Sequence, residues 1–280
     1  MTDSEAGVPD PGDAGVGAQR DPAFLRAVRP LLETYASYFR SEVRGFDRVP
    51  DHGPMLVVGN HSGGQLPPDI PILLSAWWRE RGEDEPIFTL MHSFFMAIPG
   101  VGPLMARGGG LVADPANAEA VLRDGGILID YPGGDHEVFR TWSDRNRIDF
   151  GGHMGVVRLA LRTQVPIVPV VSVGAHETLV VLSRGEQLAR RLGLDKRLRI
   201  SVLPLAFGPP FGLVPPGIPT IPLPAKVTVE LLDPIDWSDR HGPESAGDPD
   251  VVRECYDELV GTMQSAMDRL AAERRFPIIG

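Results

Sequence analysis

The stretch LVVGNHSGGQLPPD, residues 56–69, decides how the chain is read. Leu56, Val57 and Val58 belong to an apolar run that begins at Met55 and stops at Gly59. A short apolar run closed by glycine predicts a buried strand over 55–59. Gly-Asn-His-Ser-Gly-Gly then predicts a turn that holds His61 at the rim of a sheet rather than within it. Asp69 stands directly before the apolar run IPILLSAWW, eight positions beyond the histidine. Two readings follow. The plain one is a helix start, with Asp69 as N-cap and His61 a polar loop residue. The chemical one folds the carboxylate back onto the imidazole. Hydrogen-bonded at one nitrogen, the ring keeps a fixed tautomer and can take a proton at the other.

The same architecture recurs downstream. Residues 127–131, ILIDY, predict a buried strand broken only by Asp130, and Pro132-Gly133-Gly134 ends it sharply, with Glu137 just beyond. Loops at the carboxyl ends of parallel strands gather on one sheet edge, so the two glycine turns are expected to share a cleft. Arg107, ahead of three glycines, is expected on the same wall. Bare glycine amides can nest an anion, with Arg140, Arg145 and Arg147 close in sequence.

Around these motifs the pattern is α/β. An amphipathic helix is predicted from Pro22 to about residue 44, then a short edge strand. Further strands are predicted at 87–91, 165–171, from Leu198, and at 226–232. Helices are predicted from Asp114-Pro115, over 155–161, over 174–199 with a basic surface, and from Asp248-Pro249 to about Arg275. Residues 1–20, rich in Gly, Asp, Ala and Pro, predict a disordered tail ahead of one domain, 21–280.

Composition bounds the function. The 280 residues are 42% hydrophobic and 23% charged, as in an ordinary globular protein, and the net charge of −10 argues against a nucleic-acid partner. The single cysteine, Cys255, excludes an intramolecular disulfide and reads as a structural thiol. The uncharged stretches 86–106 and 200–225 are broken by prolines, eight of them in the second, so no spanning helix is expected. No secretory leader is visible, and the chain reads as cytoplasmic, with peripheral contact to the inner membrane face open. In the second stretch Leu205, Phe207, Phe211, Leu213, Val214, Ile218, Ile221 and Leu223 crowd an irregular loop. That loop either folds down as core or dips into a bilayer, steered by Arg184, Arg190, Arg191, Lys196 and Arg197. Ser62 fails the G-x-S-x-G pattern of a serine hydrolase because position 60 is asparagine. His61, His92, His136, His153 and His176 have no metal-ligand spacing.

Four blocks now stand in order: GNHSGG with its aspartate, the Arg107-glycine segment, YPGGDHE, and VPIVPV. Together they resemble the glycerophosphate and lysophospholipid acyltransferase superfamily, especially its monoacylglycerol-acyltransferase-like branch, over residues 43–234. The resemblance implies a mostly parallel sheet flanked by helices. It implies His61 and Asp69 as the catalytic pair, with Asn60, Arg107, Gly133, Gly134 and Glu137 lining the substrate site. It also implies acyl transfer from acyl-CoA or acyl-carrier protein to a lipid hydroxyl, without metal or cofactor. In the commonest family spacing four residues separate His and Asp; here that position is Leu66, and Asp69 lies three further on. The third block has glycine where many relatives carry an acid after the proline. A catalytically silent lipid-binding or adaptor protein of the same fold is the alternative.

Overall fold

The computed structural model describes residues 17–64, 66–193, 203–210, 212–214 and 220–280. A seven-stranded sheet forms its centre. In chain order the strands are β1 (Glu42–Arg44), β2 (Met55–Gly59), β3 (Ile87–Met91), β4 (Gly110–Val112), β5 (Ile127–Asp130), β6 (Ile167–Val173) and, after a separate small sheet, β10 (Thr228–Leu231). Across the sheet the order is β1-β10-β6-β2-β5-β3-β4. The five strands from β6 to β4 run parallel, while β10 pairs antiparallel to β6 and carries β1 on the outer edge. Every residue of β2 and β6 is buried, as central parallel strands covered on both faces require.

Helices cover both faces. On one side α1 (Pro22–Tyr38) and α2 (Asp69–Arg81) pack Leu25, Ile72, Leu73 and Trp77 against Met55, Val57 and Ile129. Short helices α3 (Ser93–Met96) and α4 (Val101–Arg107) follow β3. On the other side α5 (Pro115–Arg123), α7 (Gly155–Thr163) and the long C-terminal α9 (Pro249–Ala272) pack Val121, Val157, Leu259 and Met263 against Leu56, Val58 and Leu128. Between β5 and α7 lies α6 (Gly134–Val138). Three of these helices begin with an aspartate before proline, and each aspartate side chain takes an orphan backbone N–H: Asp21 from Phe24, Asp114 from Ala116, Asp248 from Asp250. Cys255 is buried in α9.

Alternation within β2 sets the geometry of the site. Met55 and Val57 face α1 and α2, Leu56 and Val58 face α7 and α9, and the chain leaves β2 toward the first face. The chain leaving β5 goes to the second face through α7. Adjacent parallel strands whose exits diverge open a crevice at their carboxyl ends, and here it lies between β2 and β5.

Several expectations change. Residues 17–20 are anchored, not a tail: the Arg20 guanidinium donates to the carbonyls of Glu83, Glu85 and Ile87; residues 1–16 lie outside the described residues. The helix expected over 174–199 is instead a turn at Ala175–Glu177, strand β7 (Val180–Ser183) and short helix α8 (Glu186–Arg191). Two β-branched valines favour strand, and Gly185, in the left-handed region at φ +62°, starts the helix afresh. The segment expected to be an irregular loop holds β8 (Leu205–Gly208) and β9 (Gly212–Val214), which with β7 make an antiparallel three-stranded sheet. Phe211, Ile218, Lys196, Arg197 and the strand expected from Leu198 lie outside the described residues.

Candidate active site

His61 leaves the carboxyl end of β2, and Asp69 returns to it from the first turn of α2. The His61 Nδ1 lies 3.0 Å from Asp69 Oδ2. The Asp69 carboxylate is 1% exposed and is held from two further directions, by the Ser62 backbone N–H at 2.7 Å and the Ile70 N–H at 2.8 Å. Fixed by these donors near the start of a helix, the carboxylate keeps its aim. The extra length of the loop bulges outward: Leu66 is exposed, while Gly63, at φ +98°, reverses the chain. A side chain at Gly63 would be strained by that φ and would also run into Pro68. The longer spacing therefore still delivers the carboxylate. Asp69 is the first residue of α2 rather than its N-cap, a place occupied by Pro68.

The two glycine turns meet. Glu137, at 0% exposure, accepts the backbone N–H of His61 at Oε2 (2.9 Å) and the Arg140 guanidinium at Oε1 (2.6 Å), with the Asp149 N–H at 3.4 Å. The Gly64 N–H donates to the carbonyl of Val138. A Cβ on Gly133 would fall 2.2 Å from Glu137 Cγ, so glycine there is what lets the glutamate side chain reach back to the His61 loop. Glu137 thus clamps the loop, and both its oxygens are occupied by protein. This corrects the expectation that it lines the acceptor site.

Two further residues are placed differently from expectation. Asn60 is fully buried and uses both ends of its amide on Ser172 of β6, donating to its carbonyl at 3.1 Å and accepting its N–H at 2.8 Å. It ties the dyad loop to the next strand and has little left for a substrate. Arg107 lies at the end of α4, pairs with Asp21 at 2.8 Å and stacks over Phe24. Its partners are the start of α1, not the two glycine loops. Gly134, at φ +45°, donates its N–H to the carbonyl of Tyr131 within its own turn.

The surroundings tune the imidazole. Burial by itself lowers the His61 pKa, but the charge and hydrogen bond of Asp69, with Glu137 and Asp130 behind it, outweigh burial and hold it above its ordinary value. Asp130, the lone charge of its strand, is pushed up to about 6 by burial, against the Tyr131 N–H, His153 and His61. Burial pushes Glu137 up to about 7 against Arg140 and two backbone N–H groups. Tyr131 packs its ring 4.9 Å from the His61 ring, and burial raises its hydroxyl well out of any proton-transfer range. His176 is kept neutral by burial, helped by Arg140 and His61. Sequence reading noted Asp130 only as a break in an apolar strand and missed Tyr131 and Ser62 as partners of the dyad. A charge among buried strand residues was the one available signal.

The chain is similar to known proteins over most of its length. The sequence profile of the Acyltransferase family matches residues 40–173. An uncharacterized protein of Mycobacterium tuberculosis is 34% identical over 257 residues, covering 91% of this chain and 69% of that protein. A Bos taurus protein named DGAT1/2-independent enzyme synthesizing storage lipids is 26% identical over 74% of this chain and 60% of its own length. The crystal structure of PlsC, the 1-acyl-sn-glycerophosphate acyltransferase of Thermotoga maritima, shares the fold at a TM-score of 0.53 and 18% identity, covering 88% of this chain and 79% of that one. Profile, relatives and fold point one way: this chain belongs to the acyltransferase superfamily.

Proposed function

We propose that the chain transfers a fatty acyl group from a thioester donor, acyl-CoA or acyl-carrier protein, to the hydroxyl of a lipid, with His61 as general base and Asp69 orienting it. The observation that carries the reading is the 3.0 Å contact between His61 Nδ1 and the buried Asp69 carboxylate, which leaves Nε2 to the crevice. In the step, Nε2 takes the hydroxyl proton as the acceptor oxygen bonds to the thioester carbonyl carbon. The tetrahedral intermediate collapses by breaking the carbon–sulfur bond, and the imidazolium returns its proton to the departing thiolate. Asp69 offsets the ring charge between the two events. Among the described residues the N–H groups of Gly63 and Gly133 have no partner, which makes them the candidate donors to the oxyanion.

The acceptor that fits best is a neutral hydroxyl lipid. Most cations near the crevice are already committed: Arg140 to Glu137, Arg145 to Glu177 and Trp142, Arg184 to His136 and Glu186, Arg107 to Asp21. The carboxyl groups of Asp130 and Glu137 add negative potential at His61. A phosphorylated acceptor would meet that repulsion, and of the guanidiniums near Glu137 only Arg147, exposed near Asp149, has no carboxylate pair among the described residues to answer it. The test is acyl-CoA turnover on monoacylglycerol, diacylglycerol and a long-chain alcohol beside lysophosphatidic acid, with His61→Ala as the blank. Transfer to the neutral acceptors, lost in the variant, is expected. Turnover confined to lysophosphatidic acid would overturn the acceptor class, and turnover by His61→Ala would overturn the base.

A further inference from the structure

The small sheet turns its apolar side outward. An antiparallel sheet with one face on the core normally shows polar side chains to water. Here Val181, Ala206 and Val214 point inward, while Leu182, Leu205, Phe207 and Leu213 point out. Phe207 and Leu213 are directly paired across β8 and β9, at 53% and 57% exposure, and form one patch. Beside it α8 buries Ala189 and exposes Leu188 and Leu192 together with Arg190 and Arg191. Neither arginine has a carboxylate partner among the described residues.

This patch stands at the mouth of the crevice. β6 runs parallel to β2, so the chain that becomes β7 leaves from the edge that carries His61. On the inner side of the small sheet, Leu179 lies against Gly64 of the dyad loop, and the Arg184 side chain reaches His136 of α6. A second apolar cluster, Phe94, Phe95 and Leu104 on α3 and α4, is exposed beyond the carboxyl end of β3. β6 and β3 are three strand spacings apart, about 14 Å. The two clusters therefore flank the crevice.

We infer that the outer face of β7–β8–β9, with α8, docks on a bilayer containing anionic lipid and sets the crevice against the membrane surface. A bilayer surface is wide enough to meet clusters on both sides of the crevice, which a compact partner is not. Arg190 and Arg191, beside exposed leucines and without carboxylate partners among the described residues, match an anionic interface, whereas the chain's net charge of −10 repels such a surface from its acidic faces. Among the described residues no helix is long and apolar enough to cross a membrane, so contact through this face is peripheral.

Co-sedimentation with phosphatidylcholine vesicles, with and without phosphatidylglycerol, tests the inference. It requires no turnover, so its outcome is independent of the chemistry assigned to His61. Wild type is expected to sediment with the anionic vesicles. Phe207→Ser with Leu213→Ser should weaken binding at least tenfold with an unchanged circular dichroism spectrum. Arg190→Glu with Arg191→Glu should weaken binding to anionic vesicles alone, by about fivefold or more per charge. Should the serine pair misfold, Leu213→Cys carrying an environment-sensitive dye gives a second readout, since Cys255 is buried and escapes labelling. A blue shift on adding anionic vesicles is expected. Wild-type binding by the serine pair, no binding by wild type, or an unshifted dye would each overturn the inference. So would a wild-type dimer that the serine pair dissolves, because a second copy would then cover the face.

Discussion

All seven residues of β6 are buried, whereas β8, little more than thirty positions along, puts Leu205 and Phe207 into solvent and Ala206 and Gly208 inside. Both are apolar strands, and by composition they look alike. Their difference is what surrounds them. β6 has β2 on one side, β10 on the other and helices on both faces, so each of its side chains finds a partner. The small sheet has one covered face, and small residues fill it while the large ones are left out. Hydrophobicity along a strand reports that it will be buried against something. It does not say whether that something belongs to the chain.

The polar side chains show the same contrast. At the carboxyl end of β2 the two buried carboxylates are satisfied by their neighbours, Asp69 by four donors from His61, Ser62 and Ile70 and Glu137 by Arg140 and two backbone N–H groups, which makes the region stiff. At α8 Arg190 and Arg191 have no carboxylate partner among the described residues. Variants at the two places should therefore fail in different ways.

The largest effect is expected from His61→Ala. Loss of the base should lower kcat/KM by about 10²–10⁴ with little change in melting temperature, because the backbone N–H that Glu137 binds remains. A comparable loss from the serine pair on a water-soluble short-chain acceptor would break the contrast, since the outer sheet would then be part of the site. Glu137→Ala should instead act on the fold. It strands Arg140 as a buried unpaired charge, a loss of about 3–5 kcal/mol in urea denaturation; a variant as stable as wild type would mean the clamp is not needed. Next, Leu56→Ala on the fully buried β2 should cost about 2–5 kcal/mol, while Leu213→Ala on the outer sheet stays within about 0.5 kcal/mol. Equal losses would mean the outer face is covered in solution.

The smallest effect is a shift along the pH axis. Only neutral His61 accepts a proton, so kcat/KM should fall as pH drops through its pKa, which Asp69 holds above the ordinary histidine value. Asp69→Asn removes that charge and leaves burial, which lowers the pKa. The acidic limb should then move to lower pH even as the maximal rate declines. A limb that stays in place would show that another group sets it.

Part of this was legible from the residues alone. Residues 55–59, the glycine turns, and the helix starts at Pro115 and Pro249 were readable because an apolar run, its terminating glycine and an Asp-Pro cap all act within a few positions. The pairing of His61 with Asp69 was readable as an option for the same reason. What the tertiary structure decided was every role that depends on a distant partner. Asn60 meets Ser172 across 112 positions, His61 meets Glu137 across 76, and Arg107 meets Asp21 across 86. The family resemblance implied Asn60, Glu137 and Arg107 as substrate ligands, and each has its polar atoms engaged by the protein itself. For Asn60 and Glu137, both fully buried, a partner is obligatory, and which group supplies it is set by how strands and loops are brought together in the sheet, a property no local window contains. The outward face of β7–β9 belongs to the same class. Its residues were recognisable as apolar, but only the folded sheet determines which side of it is left uncovered.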